Sequence, residues 1–163
     1  MPLIRIYHPA ERSFRDPKDR KGLADKITDI YTAAGLPAFY VIVLFVPLPS
    51  DYVFVGGRSD ERGNADANEK PLIRVCFDHI ARAFPDIQTA KGFFNKVDDA
   101  LKPYVADKGY EWEYHVTESK REYSKVNGKY LPPTGSDAEI RWAKENRTSD
   151  YAGMDEPSPL PKL

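Results

Sequence analysis

A hexapeptide nearly recurs in this chain: PLIRIY at 2–7 and PLIRVC at 71–76. The elements that follow each copy repeat in the same order, which marks one supersecondary unit used twice. In the first copy Leu3, Arg5 and Tyr7 alternate with Ile4, Ile6 and His8, the period of a strand, and Pro9 ends it. RDPKDRKGLADKITDIYTAAG then reads as a helix. Asp16 caps it, Pro17 suits its first turn and Gly35 its stop, while Leu23, Ile27, Ile30 and Ala34 share one face. AFYVIVLFV is almost continuously apolar, as in a strand buried on both sides or a parallel one. In the second copy KPLIRVCFDHI is a strand and PDIQTAKGFFNKVDDALKPYVADKG a helix. Phe93, Phe94, Val97, Leu101, Tyr104 and Val105 form its apolar side, Gly109 its end, and Pro103 should kink or shorten it. YEWEYHV closes the unit as a strand.

The pattern predicts an α+β fold of tandem β-α-β units, about 2–46 and 70–117, with a four-stranded sheet and two helices on one face. The other sheet face is then apolar and uncovered, and AFYVIVLFV is too apolar for open water, so subunit association is expected. Between the units, YVFV is a short strand before Gly56-Gly57, and 58–70 reads as an exposed loop. GKYLPPTGSDAEIRWAKENR gives a turn and a C-terminal helix over about 137–147, capped by Ser136 or Asp137. One domain fills 1–150, and the proline-rich 151–163 reads as an extended or disordered tail.

Composition narrows the function. A formal net charge of -1 gives no global attraction to nucleic acid or to an anionic membrane. The single cysteine, Cys76, excludes an intrachain disulfide and a cysteine-based zinc site, and its apolar setting suits packing rather than nucleophilic attack. The first thirty residues carry charge throughout and no apolar segment of the signal-peptide kind. LPAFYVIVLFVPLP is too short and too proline-bounded to span a bilayer, so a soluble cytoplasmic protein is expected. His8, His79 and His115 lack metal-site spacing, VGGR is no phosphate loop and G-x-S-x-G is absent, so no cofactor or metal is expected.

Pro2 lies directly behind Met1. Loss of Met1 would bare a secondary amine held rigidly at the head of a strand. Burial in an apolar wall and a nearby guanidinium both penalise the ammonium form and lower its pKa. A neutral amine near pH 7 is a general base, and its protonated form a general acid. If Met1 persists, the nitrogen of Pro2 is an amide and cannot act.

MPLIRIY, KITDIY, VFVGG, HIAR, EWEYHV and GKYLPPTG, in this order and spacing, resemble the tautomerase superfamily, in particular the branch containing cis-3-chloroacrylic acid dehalogenase. The resemblance covers residues 2 to about 147. It implies a homotrimer with Pro2 as the catalytic group, in a pocket lined by neighbouring subunits, acting on a small carboxylate. Arg82 falls on the second of the family's two carboxylate-gripping arginine positions, and His79 occupies the first. Arg74 and Arg5 are alternates under a shifted register. Tyr114 stands where the family has a tyrosine bonded to the reacting substrate, and Tyr31 where it has a histidine that helps hold the carboxylate. One position departs. The family's water-activating glutamate precedes the glycine of a G-x-x-L-P turn by two residues; here that position is Val126, beside Asn127, with Glu118 and Glu122 upstream. The expectation is therefore a tautomerase-type isomerase working on a small 2-oxo or enol carboxylate. The alternatives are a dehalogenase or hydratase and a non-catalytic trimeric binding protein of the same fold.

Overall fold

A computed structural model describes residues 1–59, 70–80 and 82–157. The elements run β1 (Leu3–Pro9), α1 (Pro17–Thr32), β2 (Ile42–Leu48), β3 (Phe54–Val55), β4 (Arg58–Ser59), β5 (Leu72–His79), α2 (Ile87–Leu101), β6 (Glu111–Glu118), β7 (Lys125–Val126), β8 (Lys129–Tyr130) and α3 (Asp137–Glu145). β1, β2, β5 and β6 form one sheet in the order β2-β1-β5-β6. β1 runs parallel to β2, and β5 parallel to β6. The two units meet at an antiparallel seam between β1 and β5 that sets Leu3 opposite Asp78 and Tyr7 opposite Arg74.

The repeat extends further than the hexapeptide. Each unit closes with a 3-10 turn and a two-residue hairpin: Ser50–Tyr52 before β3–β4, and Arg121–Tyr123 before β7–β8. Both hairpin turns, Gly56-Gly57 and Asn127-Gly128, have positive φ at their two central residues, the geometry that matches the twist of the flanking strands.

Ile4 and Ile6 of β1 and Ile73, Val75 and Phe77 of β5 point to one face and are fully buried. Leu23, Ile27 and Tyr31 of α1 and Val97 and Leu101 of α2 cover them. Tyr31 thus takes the place on the buried stripe that Ala34 was expected to fill; Ala34 lies past the end of α1 and is exposed. Asp16 caps α1 by accepting from the Lys18 amide at 2.8 Å. Pro103 shortens α2: the α-helix ends at Leu101 and a π-helical turn, Lys102–Ala106, follows, because proline supplies no N–H for the next helical bond. Ser136, not Asp137, caps α3.

The other sheet face corrects the expectation of a plain apolar surface. Ile42 and Leu44 of β2 are exposed there at 38% and 44%. Beside them Arg5 pairs with Asp78, and Arg74 with Glu113, so the face is half apolar and half ion-paired. β2 is an edge strand, and is not buried on both sides. Within the expected exposed loop over 58–70, Arg58 and Ser59 belong to β4, while 60–69 lie outside the described residues. The expected tail at 151–163 divides similarly. Tyr151 packs on Trp142, and the carbonyl of Met154 accepts from the Tyr130 amide at 2.8 Å, so the segment is tied to the body through Met154; 158–163 lie outside the described residues.

Phe77 sits at the centre of the covered face, with ring centroids 5.8 Å from Phe93 and 5.9 Å from Tyr114. Phe77→Ala is expected to cost roughly 3–5 kcal/mol of unfolding free energy, measured by urea denaturation.

Candidate functional site

The antiparallel seam decides where chemistry can gather. It lays the start of β1 against the end of β5, so the N-terminus of the chain lies beside His79 and the segment that follows it. The amide of Ser119 donates to the His79 carbonyl at 2.7 Å and brings the end of β6 to the same place. Chain segments around residues 1–2, 79–80, 82–84 and 118–121 therefore share one end of the sheet.

Pro2 is buried, and its carbonyl accepts from the Ile42 amide at 3.0 Å, which seals the terminus between strands. The amine of Met1 is pushed down to about 5 from its usual 8.0. Burial is the largest cause, followed by the guanidinium of Arg121 and then that of Arg82. A dry, cation-flanked amine at this end of the sheet is neutral at pH 7.

His79 is 4% exposed, and its imidazole is pushed down to about 4. Burial dominates; the amine lowers it further and Glu118 opposes. Tyr31 Oη lies 2.8 Å from His79 Nε2. Burial raises the Tyr31 pKa, so the phenol keeps its proton; it donates to Nε2 in the Nδ1–H tautomer and accepts from it in the Nε2–H tautomer. His79 Nδ1 has no hydrogen-bond partner among the described residues. At neutral pH the His79 ring is uncharged. Glu118 accepts from the Phe84 amide at 2.5 Å and so ties the end of β6 to the segment after β5.

Arg82 donates through Nη1 and Nη2 to both carboxylate oxygens of Glu139, at 3.1 and 3.0 Å, and through Nη1 to Thr134 Oγ1 at 3.0 Å. Arg121 donates to Thr134 Oγ1 at 2.6 Å and to the Leu131 carbonyl at 3.2 Å. The two guanidiniums thus meet on one hydroxyl. Two cavities flank Arg82. One, of about 420 Å³, is lined by Tyr31, His79, Phe84, Phe93 and Lys96. The other, of about 400 Å³, is lined by Ile80, Ser119, Arg121 and Thr134.

Of the residues singled out from sequence, Tyr31, His79 and Arg82 line one cavity, close to the chain end that holds Pro2. Tyr114 lies elsewhere in the protomer: its hydroxyl donates to Asp98 Oδ1 on α2 at 2.8 Å, and its ring packs on Phe94 and Trp112. Val126 sits in the β7–β8 hairpin. The alternates Arg74 and Arg5 are engaged in ion pairs on the open sheet face. Sequence reading passed over Arg121 and Glu139, because each reaches the site through a turn or short helix remote in sequence from His79. Arg121 had one usable signal: it opens the 3-10 turn before a hairpin whose Asn127-Gly128 is a recognisable turn pair. Among the described residues no group of three or more His, Cys, Asp or Glu side chains is placed to hold a metal, and no helix is long and apolar enough to cross a membrane.

Residues 1–147 match a family model described as putative oxalocrotonate tautomerase enzyme. Among solved structures, RhCC from Rhodococcus jostii RHA1 is 34% identical with a TM-score of 0.81, over 91% of this chain and 99% of that one. A probable enzyme from the thermophilic fungus Aspergillus fumigatus is 34% identical with a TM-score of 0.80, over 93% of this chain and 98% of its own. A fused 4-OT, 17% identical with a TM-score of 0.57 over 78% of this chain and 94% of its own, shares the fold. No curated protein matches the sequence.

The buried imidazole has a consequence for stability. An unfolded His79 binds a proton near pH 6.5, whereas the native one refuses it until about pH 4. The unfolded state therefore holds more protons between these values, and stability falls as pH is lowered through that window. His79→Asn, which cannot titrate, is expected to flatten this part of the profile. Urea midpoints for both proteins at pH 7.5, 6, 5 and 4 test it; equal slopes would show that His79 is not held neutral.

Proposed function

We propose, for a chain that belongs to the putative oxalocrotonate tautomerase family, a cofactor-free keto-enol isomerisation of a small 2-oxo or enol carboxylate with the amine of Pro2 as general acid and base. The observation that carries this reading is the chain-end amine pushed down to about 5 by burial, Arg121 and Arg82. Removal of Met1 transfers that setting to a secondary amine one residue further on, inside the same buried terminus. The substrate carboxylate lies against the wall formed by Arg82 and Arg121, where charge-assisted hydrogen bonds can hold it. In its Nδ1–H tautomer His79 steadies the carboxylate or the enol oxygen, with Tyr31 fixing the ring. The neutral amine takes a proton from the acidic C–H or O–H, and returns it at the other end of the three-atom system. In this arrangement the cations lower the pKa of the base and also stabilise the negative charge that develops on the enolate.

The exposed Ile42 and Leu44 face suits a homotrimer. A second reading, a hydratase or dehalogenase of the cis-3-chloroacrylic acid type, is favoured by one observation. Glu118 places a carboxylate near His79, so the valine at 126 does not leave the site without a base.

Wild-type protein whose intact mass shows loss of Met1 is expected to ketonise phenylenolpyruvate, followed by ultraviolet absorbance. Pro2→Ala, which exchanges the ring amine for a primary one, is expected to lose at least about a hundredfold in kcat/KM, the scale of general acid–base catalysis. Arg121→Ala is expected to lower kcat as well as raise KM, since the guanidinium both holds the carboxylate and stabilises the developing charge. No activity above buffer, or a retained Met1, overturns the isomerase; halide release from 3-chloroacrylates that depends on Glu118 moves the assignment to the second reading.

A further inference from the structure

Glu139 is 3% exposed, at the start of α3. Carboxylates are rarely buried to this degree unless paired. Both of its oxygens accept from Arg82, at 3.1 and 3.0 Å, and Oε2 also accepts from the Gly135 amide at 2.7 Å. Three donors from a guanidinium and a backbone amide leave it little freedom to turn away. Arg121, on the same hydroxyl of Thr134, donates instead to neutral acceptors. Two cations of one wall are thus treated differently: one faces a buried carboxylate, the other does not.

We propose that Glu139 is a positioning and charge-selecting residue. It fixes the Arg82 guanidinium and cancels its charge, so that the cationic wall suits a substrate with one carboxylate rather than two. The inference rests on the anion site proposed above. A wall of two uncompensated guanidiniums would favour a dianion. With Glu139 in place, the second carboxylate of a dianion meets a balanced ion pair at Arg82, while Arg121 keeps its charge and Lys120 and Glu122, which line the same cavity, oppose each other in sign. Lys96 lines the outer part of the larger cavity but is exposed, where solvent and salt screen it. Glu118, also exposed, adds negative charge near His79 and works in the same direction as Glu139.

The test compares two unreactive acids of equal carbon number, valerate and glutarate, by calorimetric titration of the full chain. Wild type is expected to bind valerate at least as well as glutarate. Glu139→Gln keeps the shape and an acceptor oxygen but removes the charge. It is expected to raise the glutarate-to-valerate affinity ratio about tenfold, the effect of a unit charge at ~10 Å in an effective dielectric of ~20. Glu139→Asp, which retains the charge, is expected to hold the ratio near wild type. A purely structural Glu139 would lower both affinities and leave the ratio alone, and that result overturns the proposal. If Glu139→Gln does not fold, the double variant Arg82→Gln with Glu139→Gln leaves no buried charge unpaired. Its ratio is expected to stay within about twofold of wild type because the two removed charges cancel. A roughly tenfold swing towards valerate in the double variant would mean that Glu139 never balanced Arg82. Wild type that binds neither acid removes the anion site itself, and this inference with it; binding by wild type with an unmoved ratio in Glu139→Gln removes only the inference.

Discussion

The antiparallel pairing of β1 with β5 is the constraint from which the rest of the molecule follows. Two β-α-β units, each with parallel strands, become one sheet only through this seam. Because it runs antiparallel, the start of one unit meets the end of the other, and the sheet has two ends of related geometry. At one end the chain terminus meets His79, Arg82 and Arg121. At the other, a groove of about 400 Å³ is lined by Tyr7, His8, Tyr52, Phe54, Leu72 and Arg74. Pro71 heads the second unit as Pro2 heads the first, but its nitrogen is locked in a peptide bond and has no base strength. The repeat supplies the scaffold twice and the amine once.

At the end that holds the chain terminus, desolvation outweighs charge. Burial is the first cause of the depressed amine, the depressed imidazole and the raised phenol of Tyr31 alike. All three groups are thereby held neutral near pH 7, so the field that a bound anion meets comes from the arginines and the carboxylates around them. This division suits acid–base chemistry, since a base that stays unprotonated beside cations needs no proton removed before it acts. It also explains why the arginines are braced by Thr134 and Glu139: a charged side chain left to wander in a cavity would blur the field it provides.

The fold was legible because period and punctuation agreed along most of the chain. Asp16-Pro17 and Gly35 bracket α1, and the hexapeptide repeat marks β1 and β5. Errors arose where tertiary context decides. The run at 38–46 reads as doubly buried, yet β2 is an edge strand whose Ile42 and Leu44 lie open. Hydrophobicity cannot distinguish a core from an unfilled interface. The proline-rich tail reads as loose, yet Tyr151 finds Trp142. Tyr31, His79 and Arg82 were found through a resemblance and converge on one cavity. Arg121 and Glu139 were not found, because a turn arginine and a helix glutamate are ordinary surface residues until a fold buries one against the other's neighbour.

A terminus sealed this way sets a schedule. The Pro2 carbonyl is bonded to the Ile42 amide, and Leu3 is paired on both flanks, so these two residues are fixed in the finished sheet. If the proposed chemistry holds, Met1 must be lost while the leading strand is still free of its neighbours. Maturation and folding would then compete for the same few residues, and a chain that closes early would keep its cap for as long as the sheet holds.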